Sequence, residues 1–160
     1  GLMDWVIRLF GGPSVPWLSK FPMTSIVAMV SWEWTPFFAL VLIAGLQSVP
    51  EDVIEAARVD GAKAATIWWK ITLPFLKHYY EVAVLLGTIF IFQTFGVIYI
   101  ATGGGPGTET TTLPYDTYKV AFQYWQVGQA AAIGVFGVIF AIVLAQVLIK
   151  SFAKGAQGVE

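Results

Sequence analysis

Few residues of this 160-residue chain could carry out chemistry, and most of them are concentrated in one segment. Nearly half of the charged side chains lie between positions 50 and 80, together with His78, the single histidine. The chain has no cysteine, which excludes thiol catalysis and a disulfide framework. One histidine supplies too few ligands for a metal centre. The sequence therefore predicts no catalytic residues, no metal site and no cofactor.

The charged segment has the pattern of two short helices joined by a turn. Glu51 and Asp52 indicate a helix start, because acids in the first turn interact favourably with the helix dipole. Gly61 predicts the end of this helix or a bend. A second helix is predicted over 64–71, and Pro74 is expected to close it.

Three long apolar stretches, 22–47, 82–101 and 129–150, account for much of the chain, which is 57% hydrophobic and 12% charged. Soluble domains are about 45–50% apolar and about 25% charged. Each stretch has about the 20 residues that cross a hydrocarbon core of roughly 30 Å. The sequence thus predicts an all-α polytopic membrane protein with three transmembrane helices. The alternative, buried helices of a large soluble protein, leaves too little polar surface between the stretches.

Basic residues near the span ends predict the orientation of the chain. They place the loop 48–81 and the tail 151–160 in the cytoplasm, and residues 1–21 and the loop 102–128 on the periplasmic side. The whole of 1–160 is then one partial transmembrane domain, and its net charge of −1 gives no indication of nucleic-acid binding. The predicted inner side carries Arg58, Lys63, Lys70, Lys77, Lys150 and Lys154, against Arg8, Lys20 and Lys119 outside.

The charged segment also matches a known motif in its spacing. Its fixed residues are, in order, Glu55-Ala56-Ala57, Gly61, Ile71 and Leu73-Pro74. The gaps between them are three, nine and one residues long. This order resembles the EAA loop of ABC importer permeases, E-A-A-x3-G-x9-I-x-L-P, at every fixed position. The resemblance extends from about residue 10 to residue 150.

Segments around the loop resemble the carbohydrate branch of that family, the maltose-type and polyol-type permeases. These segments are Trp34-Thr35-Pro36-Phe37, Ala44-Gly45-Leu46-Gln47, Asp60-Gly61-Ala62 and Thr102-Gly103-Gly104-Gly105-Pro106-Gly107. The resemblance implies a multi-pass permease subunit of an ATP-driven sugar or sugar-alcohol importer in the bacterial cytoplasmic (inner) membrane. The implied partners are a cytoplasmic ATPase dimer, which hydrolyses the ATP, a second permease subunit and a periplasmic solute-binding protein. Family members normally have more than three spans, so we expect the C-terminal part of a subunit.

The resemblance also implies roles for residues of the loop. Its first helix corresponds to the coupling helix that docks in a groove of the ATPase, where Glu55 would pair with a basic residue. Small side chains allow close approach, and Gly61 would form the tight turn. A solvated Glu55 paired with Arg58 three residues on is the alternative. The complete set of expected coupling residues is Glu55, Ala56, Ala57, Asp60, Gly61, Leu73 and Pro74.

Polar residues near the middle of two predicted spans are candidates for contacting the substrate. Glu33 lies about 20 Å from the inner end of its span, and Gln93 and Thr94 lie about 16–18 Å from theirs. Polar groups at this depth tend to face a cavity or a partner helix. The alternatives are hydrogen bonds between helices for Gln93 and Thr94, and an outer-interface position for Glu33. The expected substrate-lining set is Glu33, Trp34, Phe37, Phe90, Gln93 and Thr94.

Two other functions are compatible with the sequence. A secondary transporter or channel would need an intramembrane ion relay, for which Glu33 is the candidate. A non-transporting membrane scaffold or inert fragment is the other. The glycine-rich segment 103–107 lacks the Gly-Lys-Ser/Thr ending of a phosphate-binding loop, so a periplasmic turn is expected there.

Overall fold

The computed structural model describes residues 2–157, with side-chain surroundings for residues 4–152. The last residues of the predicted tail, 158–160, lie outside this range. The described chain consists of helices and turns, with no strand in residues 2–157, which confirms the all-α prediction. The helices are α1 Leu2–Leu9, α2 Trp17–Lys20, α3 Pro22–Gln47, α4 Glu51–Val59, α5 Ala64–Ile67, α6 Leu73–Phe75, α7 Lys77–Phe92, α8 Gly96–Ala101, α9 Leu113–Tyr118 and α10 Val127–Gln157, with π-helical turns at Trp68–Thr72 and Lys119–Gln123.

Two of these helices are long and apolar enough to cross a membrane: α3, and α10 over Val127–Phe152. A third span is available if Ala64–Phe75 and α7, which are bent by 52° relative to each other, count as one. Large apolar side chains are exposed all around α10, as expected of a helix that faces lipid or other helices. They are Val135, Phe136, Val138, Ile139, Phe140, Ile142, Val143, Val147 and Ile149.

The predicted second span, 82–101, is interrupted in the structure. Helix α7 ends at Phe92, and α8 begins only at Gly96. The intervening residues include β-branched Thr94, and glycine follows, so the local helix propensity is low. The hydroxyl of Thr112 donates a hydrogen bond of 3.2 Å to the carbonyl of Thr94, which gives this acceptor a partner outside the helix.

The expected helix stop at Leu73-Pro74 is close to the observed one, because the helical run from Ala64 ends at Phe75, one residue after Pro74. Leu76 then forms a turn before α7 begins at Lys77. The bend between this run and α7 is the 52° bend of the third candidate span.

The described chain divides into two compact units. One unit contains the chain up to Ser31 together with Gln93–Val138, and the other contains Trp32–Phe92 and the chain from Ile139 onward. In the second unit, the rings of Phe92 and Phe140 stack with centroids 5.5 Å apart. The first unit is centred on aromatic rings with centroid distances of 5.2–6.4 Å. These rings belong to Phe95, Tyr99, Tyr115 and Tyr118.

Gly87 in α7 permits a close helix contact, and substituting it is expected to destabilise the protein. A Cβ atom at Gly87 would lie 2.4 Å from Cζ of Phe38, whose ring already packs edge-on against Phe37. We expect Gly87→Ala to lower the free energy of unfolding by about 1–3 kcal/mol, because the Phe38 ring must leave its place. Thermal unfolding in detergent measures the difference.

Gly134 in α10 supplies the matched control for this substitution. A Cβ atom at Gly134 would meet no described atom within 4 Å. Gly134→Ala is therefore expected to leave stability unchanged or to raise it through better helix propensity, by up to about 1 kcal/mol. Equal melting temperatures for the two variants would contradict the contact between Gly87 and Phe38.

Candidate coupling loop and intramembrane site

Helix α4 has charged residues in both its first and its last turn. It follows Pro50, which has an extended backbone, and its first turn contains Glu51 and Asp52. Arg58 lies in the last turn. Acids at the start and a base at the end both complement the helix dipole, so this short helix is stabilised without burying a side chain.

Gly61 ends α4 in a hydrogen-bonded C-terminal cap. Its φ of +80° is the left-handed conformation that glycine adopts without strain. The amide of Gly61 donates to the carbonyl of Arg58 at 3.0 Å, and the amide of Ala62 donates to the carbonyl of Ala57 at 2.9 Å. These two bonds form a Schellman motif. Since Lys63 caps the next helix, the connection between α4 and α5 is short and ordered by the backbone itself.

The expected coupling residues lie on the surface of the described chain. Glu55, Ala56, Asp60 and Gly61 are exposed on or beside α4, and Ala57 is half-buried. Leu73 and Pro74, further along the loop, are also exposed. Six of the seven are therefore exposed in the described chain, and Ala57 is partly so.

Val59 was missed by the sequence reasoning, although it belongs to the same surface. It is 87% exposed and lies four residues after Glu55, so the two side chains share one face of α4. An exposed valine beside an exposed acid provides an apolar contact next to a charged one. The spacing of four residues between Glu55 and Val59 could have indicated this shared face from the sequence.

Substituting Gly61 is expected to disturb the position of α4 through backbone strain alone. A Cβ atom here would meet no described atom within 4 Å, so steric contact does not contribute. We expect Gly61→Val to lower the free energy of unfolding by roughly 1–2 kcal/mol, because a β-branched residue disfavours positive φ. Gly61→Asn is the control, since asparagine tolerates this conformation better. Equal melting temperatures of the two variants would contradict the prediction.

Trp34 is the centre of an aromatic cluster within the second unit. Its ring stacks on Phe90 with centroids 5.6 Å apart and planes at 20°. The rings of Trp34 and Phe37 are nearly perpendicular, at 84°, with centroids also 5.6 Å apart. The structure therefore brings these three predicted residues together, with Trp34 and Phe37 on α3 and Phe90 on α7.

Glu33 lies next to this cluster in sequence, and its side chain is exposed. A carboxyl group that faces lipid at mid-membrane depth is costly, so such a group usually faces a cavity or another helix. Pro36, inside α3, cannot donate the amide hydrogen bond that the carbonyl of Trp32 would receive in a regular helix. This part of α3 thus combines aromatic faces with polar acceptors.

Gln93 and Thr94 belong to the first unit and lie in the interruption between α7 and α8. Gln93 is exposed and Thr94 is half-buried. The spacing of Gly87, Phe90 and Thr94 predicts a common helix face, which is wrong for Thr94 because the helix ends at Phe92. The structure therefore assembles the aromatic members of the predicted set and leaves these two on a non-helical segment.

Threonine side chains form hydrogen bonds within the glycine-rich turn, residues 103–107. The hydroxyl of Thr110, which is 1% exposed, donates to the carbonyl of Gly105 at 2.9 Å and lies 2.7 Å from the hydroxyl of Thr102. The amide of Gly103 donates to Ile98, and that of Gly105 donates to Thr102. Two of the amides that a phosphate would need are thus already used inside the turn.

The aromatic cluster of the first unit lies beside this turn. A Cβ atom at Gly104 would be 2.7 Å from the ring of Tyr115, so glycine allows the turn to approach the ring. A hydrogen bond with Tyr99 raises the pKa of the Tyr118 hydroxyl above its usual range. Among the described residues, no three His, Cys, Asp or Glu side chains lie close enough together to hold a metal ion.

Comparison with known proteins establishes the family. A family model described as "Binding-protein-dependent transport system inner membrane component" matches residues 5–157. The chain belongs to this family. The match includes α4, the interrupted helix and all residues discussed above.

Individual members of the family are similar over nearly all of the chain. The "Trehalose/maltose transport system permease protein MalF" of Thermococcus litoralis is 40% identical over 156 residues, 95% of this chain and 49% of that protein. The "Trehalose transport system permease protein SugA" of Mycobacterium tuberculosis is 39% identical over 158 residues, 98% of this chain and 50% of that protein. The "sn-glycerol-3-phosphate transport system permease protein UgpA" of Agrobacterium fabrum is 33% identical over 146 residues, 90% and 50% respectively. The chain thus spans about half the length of the curated relatives it matches.

Proposed function

We propose that this chain is the coupling part of a permease subunit in an ATP-driven importer of sugars or sugar alcohols. The observation that carries the proposal is the exposed helix α4, with its cap at Gly61 and with Glu55 and Val59 on one face. The names of three relatives, which concern trehalose, maltose and glycerol phosphate, support the substrate class.

In this proposal, α4 docks on a cytoplasmic ATPase dimer. Between Glu51 and Asp60 the chain has four acids and one arginine, a net charge of −3. Such a helix suits a groove lined with basic side chains, where Glu55 forms the central ion pair and Val59 fills an apolar position. Closure of the ATPase dimer then moves the loop and the spans attached to it. The ATPase, rather than this chain, hydrolyses the ATP.

The substrate passes beside the aromatic cluster of Trp34, Phe37 and Phe90. Sugar rings have apolar faces that stack on aromatic rings, and their hydroxyl groups form hydrogen bonds with polar side chains such as Glu33. A second permease subunit supplies the facing half of the path, and a periplasmic solute-binding protein delivers the sugar. The exposed apolar faces of α3 and α10 support contact with other helices and lipid.

Co-purification tests the proposal. An affinity-tagged transporter containing this chain is extracted in mild detergent, and the ATPase encoded with it is quantified in the eluate. We expect the ATPase in stoichiometric amount, because docking of α4 supplies a specific interface. An eluate without any ATPase, from a permease that is folded and membrane-inserted, would favour a scaffold or a secondary transporter.

A further inference from the structure

The loop that follows α3 is divided into an acidic part and a basic part. Glu51 to Asp60 has a net charge of −3, from four acids and one arginine. Gly61 to Glu81 has three lysines and one acid, a net charge of +2 with His78 neutral. Anionic lipid headgroups repel the first part and attract the second. The basic part therefore suits the surface of an anionic membrane, and the acidic part does not.

The basic part also exposes large aromatic side chains. Trp68 is 44% exposed, Trp69 is 66% exposed and Phe75 is 43% exposed. Lys63 and Lys70 are exposed as well. Tryptophan is enriched at the boundary between hydrocarbon and water, and lysine stems lie along apolar surface while their ammonium groups reach the headgroups. This combination is typical of a segment that lies in the membrane interface.

The π-helical turn explains why both tryptophans remain exposed. Ile67, Thr72 and Leu76 are buried, and they are separated by five and then four residues. The first spacing matches the i to i+5 geometry of a π-turn, in which the amide following the turn bonds back to the carbonyl of Trp68. One face of the segment is thereby packed within its own unit. Trp68 and Trp69 lie outside that buried stripe.

The basic part of the loop, here called the basic segment, is also continuous with a candidate membrane span. Ala64–Phe75 and α7 are bent by 52° across Leu76. Helix α7 begins with Lys77, whose Nζ atom lies 3.9 Å from a carboxylate oxygen of Glu81. A bend at the charged end of a span allows the preceding segment to lie along the bilayer surface while α7 enters the bilayer.

We propose that residues 61–80 form an interfacial anchor for anionic lipid headgroups. Trp68 and Trp69 lie between the headgroups and the acyl chains, and Lys63 and Lys70 contact lipid phosphates. A protein partner is the other candidate for covering this surface. The lysines, which have no acid between them, favour the lipid. The proposal requires that the chain is in a membrane, but it requires neither sugar transport nor an ATPase, so its failure and that of the proposed transport function are distinguishable.

Tryptophan fluorescence in vesicles tests the anchor. The complete permease is reconstituted into phosphatidylcholine vesicles that contain, as the quencher, either brominated phosphatidylglycerol or brominated phosphatidylcholine. We expect stronger quenching by the phosphatidylglycerol, and we expect Trp68→Phe with Trp69→Phe to abolish this difference. Lys63→Gln with Lys70→Gln should reduce the preference by about five-fold per lysine, since each basic residue near the surface contributes about that factor.

Trp125→Phe is the matched control, because Trp125 is 80% exposed and lies outside the basic segment. This variant should retain the difference between the two lipids. The proposal is overturned if the variant lacking Trp68 and Trp69 keeps the full preference, or if the lysine variant does. It is also overturned if adding the ATPase subunit removes the quenching of these tryptophans, since a protein then covers them.

Discussion

Replacing Glu55 with lysine is expected to uncouple ATP hydrolysis from uptake in an assembled transporter that contains this chain. The substitution reverses a charge on the exposed face of α4, where we propose an ion pair with the ATPase. Losing one partner of a desolvated ion pair costs about 2 kcal/mol or more, which corresponds to roughly a thirty-fold weaker association. Uptake of labelled sugar, measured alongside ATP hydrolysis, should fall by at least about that factor.

Glu109→Lys is the control for this charge reversal. Glu109 is also exposed, but it lies in the loop predicted to be periplasmic, where no ATPase is expected. This variant should transport sugar at nearly the unmodified rate. Normal uptake by the Glu55→Lys variant would contradict the assignment of α4 as the coupling helix, and so would equal losses in both variants.

Replacing Glu33 with glutamine is expected to raise the KM for sugar by about ten-fold while uptake remains driven by ATP. A hydrogen bond to a charged group contributes about 1.5–3 kcal/mol, against about 1 kcal/mol for a neutral one. The difference of about 0.5–2 kcal/mol corresponds to a factor of about two to thirty, and ten-fold lies within this range. Initial uptake rates over a range of sugar concentrations separate this effect from a change in kcat.

Glu81→Gln provides the comparison for Glu33. The carboxylate of Glu81 lies 3.9 Å from Lys77, so its neutralisation should lower thermal stability and leave the KM unchanged. A Glu33→Gln variant that loses all uptake, together with proton-driven uptake in the unmodified protein, would instead support an ion relay. An unchanged KM would remove Glu33 from the substrate path.

The two long apolar helices and the end of α4 could be predicted because short-range rules govern them. The apolar lengths of α3 and α10 follow from the thickness of the hydrocarbon core. The end of α4 follows from glycine, which adopts the positive φ observed at Gly61 without strain. In both cases the determining residues lie within the element itself.

Features that depend on distant residues could not be predicted in the same way. The interruption after Phe92 falls within an uncharged apolar run, and the partner of the Thr94 carbonyl is Thr112, eighteen residues away. The exposure of Val59 likewise follows from where α4 ends and what packs on it. Each of these needed three-dimensional information.

Uptake of labelled sugar into vesicles tests directly whether this chain serves an ATP-driven sugar importer. The assembled transporter is reconstituted with its ATPase, and the solute-binding protein and a panel of disaccharides and polyols are added on the opposite side. We expect uptake of at least one of these sugars that requires both ATP and the binding protein and is unaffected by a protonophore. Uptake that proceeds without ATP and collapses with the proton gradient would contradict it.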